Sequence, residues 1–476
     1  MNNSLKNRMI EEHYSLVSID LFSGPGGLCT GFKWAGILPL IAVEWTDSTV
    51  ETYATSHNAD VLHMSDYYCG DSVNTDYLQQ FMRESKKSLV IHGDINQVDN
   101  QLIKELLWTR YGIDSENETV DIVSGGAPCE SFSLAGKRAL GDDRDDLFDN
   151  IVRISRKLKT KAILFENVKG IFSKRNSKGI KGAIFQHICD TFEEKNVFPS
   201  YVLSSREQGV VLLKACDYGV PQLRERVFLV SIRSDLYEDG IRFVYPDPTY
   251  GKGRENPYVT VRDAISDLPN AGLNEDATYY TIPNHYNNEN QRRFISIMRG
   301  FDEVCDMNCA APKYLSGTYN INSLSSHRGP GHIVRKRALL SVIPTGSTMK
   351  AEYERINTEG RINENVPDFP QFTYADVFPK TIYGSRNRRL RLDEPSFTVT
   401  SHCLDELLHP TQNRAISPRE AARLQSFPDW YQFVGPYVQF HGDKEQDRYE
   451  QIGDAIPPLL AHAMGKQFIA CLPMHI

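Results

Sequence analysis

The sequence has no CxxC pair, no long apolar segment and no excess of positive charge. Its nine cysteines are an odd and scattered set, which indicates neither a disulfide framework nor a zinc ribbon. Cys305 and Cys309 come closest to metal-ligand spacing, but no second pair or histidine cluster accompanies them. We therefore expect no metal.

No segment approaches the roughly 20 apolar residues that a membrane span needs, and the polar start MNNSLKNRMIEEHYS does not resemble a signal peptide. A cytoplasmic protein without a membrane partner is expected. The net charge of −8 argues against a uniformly basic surface, so any contact with nucleic acid must be local.

Strand-like and helical patterns alternate from about residue 15 to 235. The strand-like runs are SLVSIDLF, LPLIAVE, KSLVIHGD, VDIVSGG, KAILFEN, YVLSSREQGVVLL and RVFLVSIRS, with amphipathic segments such as DDLFDNIVRISRKLK between them. This alternation predicts an α/β domain with a doubly wound, mostly parallel sheet.

The pattern changes in the second half of the chain. Residues 236–412 are irregular and rich in Pro, Gly, Asn and Tyr, which predicts a second, smaller domain. Residues 413–476 become regular again: Ser417 and Glu420 have the spacing of a capping box, and a last helix from about Pro457 is predicted to pack back on the first domain.

The first strand ends in a glycine-rich turn, DLFSGPGGL, at residues 20–28. Glycines there let the chain turn tightly and let a ligand approach the backbone, although such a turn also occurs in plain loops. The third glycine of the dinucleotide pattern GxGxxG is missing. This absence disfavours a nucleotide oxidoreductase and favours a nucleoside ligand without a pyrophosphate, such as S-adenosylmethionine.

Two further strand ends carry side chains suited to a nucleoside. Glu44 stands 24 residues after Asp20, where a carboxylate would accept hydrogen bonds from ribose hydroxyls. Trp45 offers a flat face for adenine, and Asp94 is placed to reach the adenine amino group. Together they favour a cofactor site over a plain turn.

Potentially reactive side chains follow the later strands. Cys129 follows VDIVSGG, and Glu166 and Asn167 stand at the end of KAILFEN. In QLRER, Gln222, Arg224 and Arg226 alternate and are predicted to share one face of a strand. Taken singly, each feature has an ordinary structural explanation. A buried cysteine more often serves packing than chemistry, a Glu-Asn pair can cap a helix, and alternating arginines usually form a solvated face. Their convergence at the ligand-binding edge of a parallel sheet indicates an active site.

The chain resembles the carbon-5 cytosine-specific DNA methyltransferases of the bacterial type. Six motifs in order carry the resemblance over residues 18 to 235 and 411 to 470: DLFSGPGG, GGAPCESFS, FENVKG, YGVPQLRERVFLV, RAISPREAARLQSFP and QIGDAIPPLLA. It implies a Rossmann-like catalytic and S-adenosylmethionine-binding domain at 15–235, a target recognition domain at 236–412 and a C-terminal segment, 413–476, that returns to the catalytic domain.

The resemblance implies methyl transfer to carbon 5 of a cytosine flipped out of duplex DNA, with S-adenosyl-L-homocysteine as the second product. It also implies a nucleoid-associated enzyme of a restriction-modification or phage-defence system, with a possible cognate restriction endonuclease or defence-system proteins as partners. A transfer-RNA cytosine-5 methyltransferase and an inactive DNA-binding relative stay open as alternatives.

The resemblance also assigns residues. Cys129 would bond carbon 6, Glu166 would hydrogen-bond or protonate nitrogen 3, and Arg226 would bind the carbonyl oxygen, while Arg224 holds neighbouring groups in register and Asn167 orders the loop around Cys129. The implied cofactor-binding residues are Phe22, Gly24, Gly26, Gly27, Leu28, Glu44, Trp45, Asp94, Ile95, Pro128, Leu147 and Asp454.

Two basic stretches without acidic residues lie in the recognition region and predict phosphate contact. They contain Arg328, Arg335, Lys336 and Arg337, and then Lys380, Arg386, Arg388, Arg389 and Arg391. Which of them read bases is left open by the sequence.

Three features depart from the family pattern. Ala127 stands where a second proline is usual, and Asp454 stands where asparagine is typical, which puts the contact of Asp454 with the cofactor in question. The link between Glu44 and Asp94 is long, so that residues 46–93 look like an insertion.

Overall fold

The computed structural model describes residues 1–69, 72–115, 119–127, 147–175, 179–194, 196–205, 212–300, 307, 309–312, 315, 319–438 and 445–474. Its strands are β1 (Leu16–Leu21), β2 (Ile37–Glu44), β3 (Ala59–His63), β4 (Tyr68–Cys69), β5 (Ser72–Val73), β6 (Ser88–His92), β7 (Ile122–Gly125), β8 (Ala162–Val168), β9 (Tyr201–Leu203), β10 (Leu212–Lys214), β11 (Glu225–Arg233), β12 (Asn365–Val366), β13 (Phe369–Thr373), β14 (Arg388–Arg389) and β15 (Leu407–Leu408).

Helices of the first half are α1 (Asn3–Glu11), α2 (Gly27–Ala35), α3 (Asp47–His57), α4 (Met64–Tyr67), α5 (Thr75–Gln79), α6 (Asn100–Tyr111), α7 (Asp149–Leu158) and α8 (Ala183–Phe192). Helices of the second half are α9 (Ser234–Glu238), α10 (Val261–Ile265), α11 (Glu289–Arg299), α12 (Val334–Ser341), α13 (Met349–Thr358), α14 (Tyr374–Val377), α15 (Cys403–Glu406), α16 (Pro418–Leu424), α17 (Arg448–Asp454) and α18 (Pro458–Cys471).

The described residues form one large sheet in the order β10-β11-β8-β7-β1-β2-β6-β3, with β9 paired to β11. From β8 to β3 all neighbours are parallel, and β11 is antiparallel to β8. From β1 the chain first fills one side of the sheet with β2, β3 and β6, where β6 lies between β2 and the edge strand β3, and from β7 it then fills the other side. Ligands of doubly wound folds bind at such a switch point, and here it lies between β1 and β7.

The predicted doubly wound, mostly parallel sheet is confirmed, and each of the seven strand-like runs contains a strand. The expectation of an insertion at residues 46–93 was only partly right. Helix α3 and strand β3 lie within it, and β3 pairs with β6 at the edge of the sheet. Its short sequence ADVLH is less apolar than the central strands, because an edge strand is less enclosed.

Two cores cover the two faces of the sheet. One is built from α6, α7 and α8 with apolar residues of the strands. The other joins α2 and α18 to apolar residues from 243–315 and 390–433. A third and smaller cluster, from Ala338 to Phe378 with Leu408 and Ala415, stands apart. The irregular region therefore contributes both to the core beneath the sheet and to a core of its own.

Helix α18 lies against α2, as the predicted return of the C-terminal segment requires. A Cβ atom at Gly31 would come within 2.3 Å of the Pro458 carbonyl oxygen, so only glycine permits this close approach. The rings of Phe32 and Phe468 meet edge to face at 6.1 Å. The capping box at Ser417 and Glu420 is also present. Within the described ranges, no helix combines the length and apolarity that crossing a membrane takes.

Candidate active site and cofactor site

Strand register places the functional loops side by side. Leu21 of β1 pairs with Gly125 of β7, and Gly125 pairs with Phe165 of β8. Phe22, Gly126 and Glu166 follow directly on these three residues. Because the three strands are parallel, the cofactor turn, the loop that leads to Cys129 and the Glu-Asn pair all start at one edge of the sheet.

Glu166 and Arg226 form an ion pair at this edge. Oε1 of Glu166 lies 2.9 Å from Nε of Arg226, and the two side chains are 12% and 13% exposed. Burial raises the pKa of Glu166 above its ordinary value, while the positive charges of Arg226 and Arg224 offset only part of that effect. The pair therefore presents a carboxyl group with increased proton affinity beside a guanidinium.

The carboxyl group of Glu166 lies over the start of the loop that leads to Cys129. A Cβ atom on Gly126 would be 2.8 Å from Oε2 of Glu166, so glycine is needed for this contact. Asn167 is buried, and its Nδ2 donates to the carbonyl oxygen of Ala127 at 3.3 Å. Pro128 and Cys129 lie outside the described residues. The loop is thus held two residues before the thiol.

The prediction that Gln222, Arg224 and Arg226 share one face of a strand was wrong for the first two. Strand β11 begins at Glu225, so Gln222 and Arg224 precede it. Nη1 of Arg224 donates to Val399 O at 2.8 Å, and Nη2 donates to Gly453 O and Ala455 O at 2.9 and 3.1 Å. Arg224 is fully buried. Through these bonds it holds the segment around Asp454 in place.

The glycine turn begins with backbone conformations that residues with a side chain rarely adopt. Phe22 has a φ of 57° and Gly26 a φ of 98°, and Gly26 caps the start of α2. A Cβ atom on Gly24 would have no neighbour within 4 Å, whereas one on Gly27 would lie 2.2 Å from Ile456 O. Gly24 therefore faces open space. Gly27 has no side chain, which lets the Ile456 carbonyl oxygen of the C-terminal segment approach its Cα atom closely.

Glu44 ties the cofactor turn to the end of β2. Its Oε2 accepts from Gly24 N at 2.9 Å, and its Oε1 accepts from Trp45 N and Thr46 N at 2.9 and 3.0 Å. A carboxylate has about four acceptor positions, so one remains after these three bonds. Glu44 orders the loop and still has capacity for a ribose hydroxyl.

Trp45 is 54% exposed at this edge. His92 contacts its carbonyl oxygen at 3.2 Å, which fixes the backbone that carries the indole. Asp94 is exposed and accepts from Asn96 N at 2.9 Å, and Ile95 is buried beside it. An exposed indole and a carboxylate at neighbouring strand ends fit an adenosyl group.

The remaining predicted cofactor residues lie at or near the same edge. Leu28 is buried in the core beneath the turn, and Leu147 is half-buried against the core on the other face. Asp454 is exposed and accepts from Nε2 of Gln446 at 3.3 Å. Because Gln446 also bonds Ser48 and Thr49 at the start of α3, Asp454 lies close to the segment that follows Trp45.

Three buried residues that sequence reasoning missed support the turn from below. Asp20 accepts from Ser124 Oγ at 2.7 Å and from Cys29 Sγ at 3.2 Å, and burial raises its pKa to about 6. His57 contacts Gly26 O at 3.2 Å and Tyr431 Oη at 3.0 Å, and the Tyr431 hydroxyl donates to Pro25 O. Asp20 belongs to a recognised motif, but no sequence signal marks His57 or Tyr431.

Residues 66–470 match the family model of the C-5 cytosine-specific DNA methylases. The chain belongs to this family. It is a DNA (cytosine-5-)-methyltransferase, as the six motifs predicted.

Relatives agree with this assignment, and a solved structure shares the fold. The methyltransferase is 29% identical over 452 residues to the Type II methyltransferase M.DdeI of Desulfomicrobium norvegicum, covering 94% of this chain and 87% of that protein. It is 30% identical over 488 residues to M.AgeI of Thalassovita gelatinovora, covering 94% and 98%. A crystal structure of a protein encoded within an E. coli prophage shares its fold, with a TM-score of 0.63, 23% identity and coverage of 96% of this chain and 99% of that chain.

Proposed function

We propose that this enzyme methylates carbon 5 of a flipped-out cytosine at a specific duplex sequence through a covalent bond to Cys129. The observation that carries the proposal is the Glu166–Arg226 pair, which lies against Gly126 at the ligand-binding edge of the sheet. The names of the Type II relatives support a restriction-modification role. A phage-defence role, a cognate endonuclease as partner and the nucleoid as its place in the cell are further parts of the proposal.

Carbon 5 of cytosine is too weak a nucleophile to take a methyl group unaided. The thiolate of Cys129 would form an Sγ–C6 bond, and the electron pair of the 5,6 double bond then becomes available at carbon 5. Negative charge develops at nitrogen 3, where the Glu166 carboxyl group would donate a proton or hydrogen bond. Its raised pKa favours the protonated form that this task needs.

Arg226 would bind the cytosine carbonyl oxygen through the guanidinium nitrogens that do not face Glu166. Asn167 would keep the Cys129 loop in register through the Ala127 carbonyl. S-adenosyl-L-methionine, held at the glycine turn and Glu44, would supply the electrophilic methyl group, with S-adenosyl-L-homocysteine as the second product. After carbon 5 is methylated, a base removes its proton, the 5,6 double bond re-forms and the Sγ–C6 bond breaks.

The chain's own residues fit this cofactor. Gly24 leaves open space at the turn, the Trp45 indole is exposed, and the carboxylates of Glu44 and Asp94 flank them. We propose that Trp45 stacks on adenine, Glu44 accepts from a ribose hydroxyl and Asp94 accepts from the adenine amino group.

The test is to express the gene in a host without cytosine methylation and to map modified cytosines by bisulfite sequencing. We expect methylation confined to one short motif with the wild type and none with Cys129→Ala. No methylation by a folded wild type, or the same pattern with Cys129→Ala, would overturn the proposal. Methylation of transfer RNA but not of DNA would favour the RNA enzyme.

A further inference from the structure

Two histidines meet at the carboxyl edge of the sheet, beside the proposed adenine site. His63 ends β3 and His92 ends β6, and the two residues are partners in the parallel register of these strands. On its other side His92 is the register partner of Glu44. The Nδ1 atoms of the two histidines lie 2.9 Å apart, and their ring planes are inclined at 69°. We call these two side chains the histidine pair.

The histidine pair contacts the backbone that carries the Trp45 indole. Nε2 of His92 lies 3.2 Å from the carbonyl oxygen of Trp45 and 3.0 Å from Oδ1 of Asp47. Trp45 N donates to Oε1 of Glu44 at 2.9 Å. Both backbone polar groups of Trp45 are therefore bound, while its indole is 54% exposed. The backbone is fixed and the ring stays available for a ligand.

These contacts decide which nitrogen of each ring carries a hydrogen atom. A carbonyl oxygen only accepts, so Nε2 of His92 donates to Trp45 O, and the Asp47 carboxylate accepts from the same N–H group. A neutral His92 then has a lone pair at Nδ1, which accepts from Nδ1 of His63. The hydrogen bond at one ring nitrogen selects the tautomer of a histidine. His63 thus keeps His92 in the tautomer that donates to Trp45.

The histidine pair can hold one positive charge with its hydrogen bonds intact, but not two. One added proton places a positive charge on His92 beside the Asp47 carboxylate, and Nδ1 of His92 then donates to Nδ1 of His63. A second proton would make both Nδ1 atoms donors, so that the bond between the rings breaks. Further ionisable groups on the elements around the pair are Glu44, Asp66, Tyr77 and Asp94.

The segment that contains His63 also packs against the loop that carries Asp94. A Cβ atom on Gly93 would lie 2.6 Å from Cβ of Met64, the residue after His63. The Tyr68 hydroxyl donates to the carbonyl oxygen of Gln97 at 3.2 Å. Residues 46–93, whose length suggested an insertion, therefore support both of the strand ends that are proposed to contact adenine.

We propose that His92 and His63 are positioning residues for the adenosyl group of the cofactor. The proposal rests on the cofactor site proposed above, in which Trp45 stacks on adenine. His92 holds Trp45 through its carbonyl oxygen, and His63 holds His92 in the donating tautomer. Acidification that places a second proton on the pair separates the two rings, frees the Trp45 backbone and weakens cofactor binding.

The first test is calorimetric titration of S-adenosylmethionine into the full-length protein without DNA. His92→Phe keeps a ring but has no donor, and we expect the dissociation constant at neutral pH to rise about 3- to 10-fold, as for the loss of one hydrogen bond. His92→Gln places an amide N–H group near the position of Nε2 and should keep most of the affinity. His285→Gln, which changes an exposed histidine elsewhere in the chain, is the matched control.

Steady-state kinetics separates positioning of the cofactor from a role in chemistry or in stability. For His92→Phe we expect a higher KM for S-adenosylmethionine and an unchanged kcat when the cofactor is saturating. Melting temperatures of the cofactor-free proteins report folding. A purely structural role would lower the melting temperature and leave the KM of the folded fraction unchanged. If His92→Phe does not fold, His63→Phe and His92→Gln carry the test.

The second test is the dependence of the dissociation constant on pH. Histidine changes charge between roughly pH 5 and 8, so we expect weaker binding by the wild type as the pH falls to about 5. The buried carboxyl groups of Asp20 and Glu166 have raised pKa values at the same edge. The signal is therefore the part of this loss that His63→Phe and His92→Gln remove, because neither variant can place two charges on the pair.

Two results would contradict the positioning role. One is equal affinity of wild type and His92→Phe, and the other is a pH profile that His63→Phe leaves unchanged. If Trp45→Ala weakens binding while His92→Phe does not, Trp45 stays in the cofactor site and only the histidine pair is excluded. Because these titrations use the cofactor alone, their outcome is independent of the mapping of methylated cytosines in DNA.

Discussion

Nε of Arg226 lies 2.9 Å from Oε1 of Glu166, across the antiparallel pair of β11 and β8. The arginine lowers the pKa of this carboxyl group, yet burial has the larger effect and the net shift is upward. The pair can therefore supply a proton to the base and still present a cation to its carbonyl oxygen.

Glu166→Gln removes this proton but keeps the size of the side chain. We expect kcat to fall about 10²- to 10⁴-fold. Since the protonated form is required and the pKa is raised, the wild-type rate of methyl transfer should fall as pH rises through that pKa, and the variant should lack this limb. Single-turnover rates across pH measure it. An unchanged rate and pH profile would exclude Glu166 as the proton donor.

Gly126→Ala tests whether the position of the Glu166 carboxyl group matters. The new methyl group would lie 2.8 Å from Oε2, so the carboxyl group must move. We expect about 10²-fold slower methyl transfer, because displacements of this size can have such an effect. Combined with Glu166→Gln, Gly126→Ala should add little. Full additivity in this double-mutant cycle would mean that the glycine acts elsewhere.

Arg224→Lys and Arg226→Lys should have different effects, the first on stability and the second on the rate of methyl transfer. The Arg224 fork donates to three buried carbonyl oxygens, so lysine should lower the free energy of unfolding by about 3 kcal/mol. Arg226→Lys should reduce kcat with little change in melting temperature, because the contacts at risk are those to the base, to Glu166 and to the neighbouring Glu225 carbonyl oxygen. Thermal denaturation and steady-state kinetics on both variants make the comparison. The reverse result would contradict a positioning role for Arg224 and a base-binding role for Arg226.

Trp45→Ala should weaken S-adenosylmethionine binding about 10-fold, since an aromatic stack contributes roughly 0.5–1.5 kcal/mol beyond its buried area. Trp45→Phe should restore most of the affinity. Calorimetric titration with the cofactor alone gives the dissociation constants of both variants without DNA. Equal affinity in all three proteins would remove Trp45 from the cofactor site.

Glu420 provides a test of stability against pH. Burial by itself would raise the pKa of this carboxyl group, but its ion pair with Arg414 at 2.7 Å outweighs burial and lowers the pKa to about 2. Because the pKa of Glu420 is lower in the folded state than its unfolded value near 4.3, ionised Glu420 stabilises the fold at pH values above 4.3. This contribution of about 3 kcal/mol to the free energy of unfolding is lost as pH falls toward 2. The melting temperatures of wild type and Glu420→Gln should differ most above pH 5 and converge on acidification. A constant difference would contradict the ion-pair explanation.

The α/β class and the strand ends that carry Glu44, Glu166 and Asn167 were predicted from the sequence. Buried strands and the motifs at their ends are short continuous segments, so they can be recognised without knowing the tertiary contacts. Sequence reasoning missed strand β3, whose edge position leaves only a weak apolar signal. It also placed Arg224 on a strand, because alternation alone does not show where a strand begins. His57 and Tyr431 could not be found, since they lie far apart in sequence and meet only through packing against the glycine turn.

The central claim is a transient bond between Cys129 and carbon 6 of the target cytosine. The direct measurement is to incubate the enzyme and S-adenosylmethionine with a duplex that carries 5-fluorocytosine in the methylated motif, then to digest the complex and identify the linked peptide by mass spectrometry. Fluorine at carbon 5 cannot leave as a proton does, so the adduct should persist on the peptide that contains Cys129. Absence of an adduct, or its location on another residue, would contradict this mechanism.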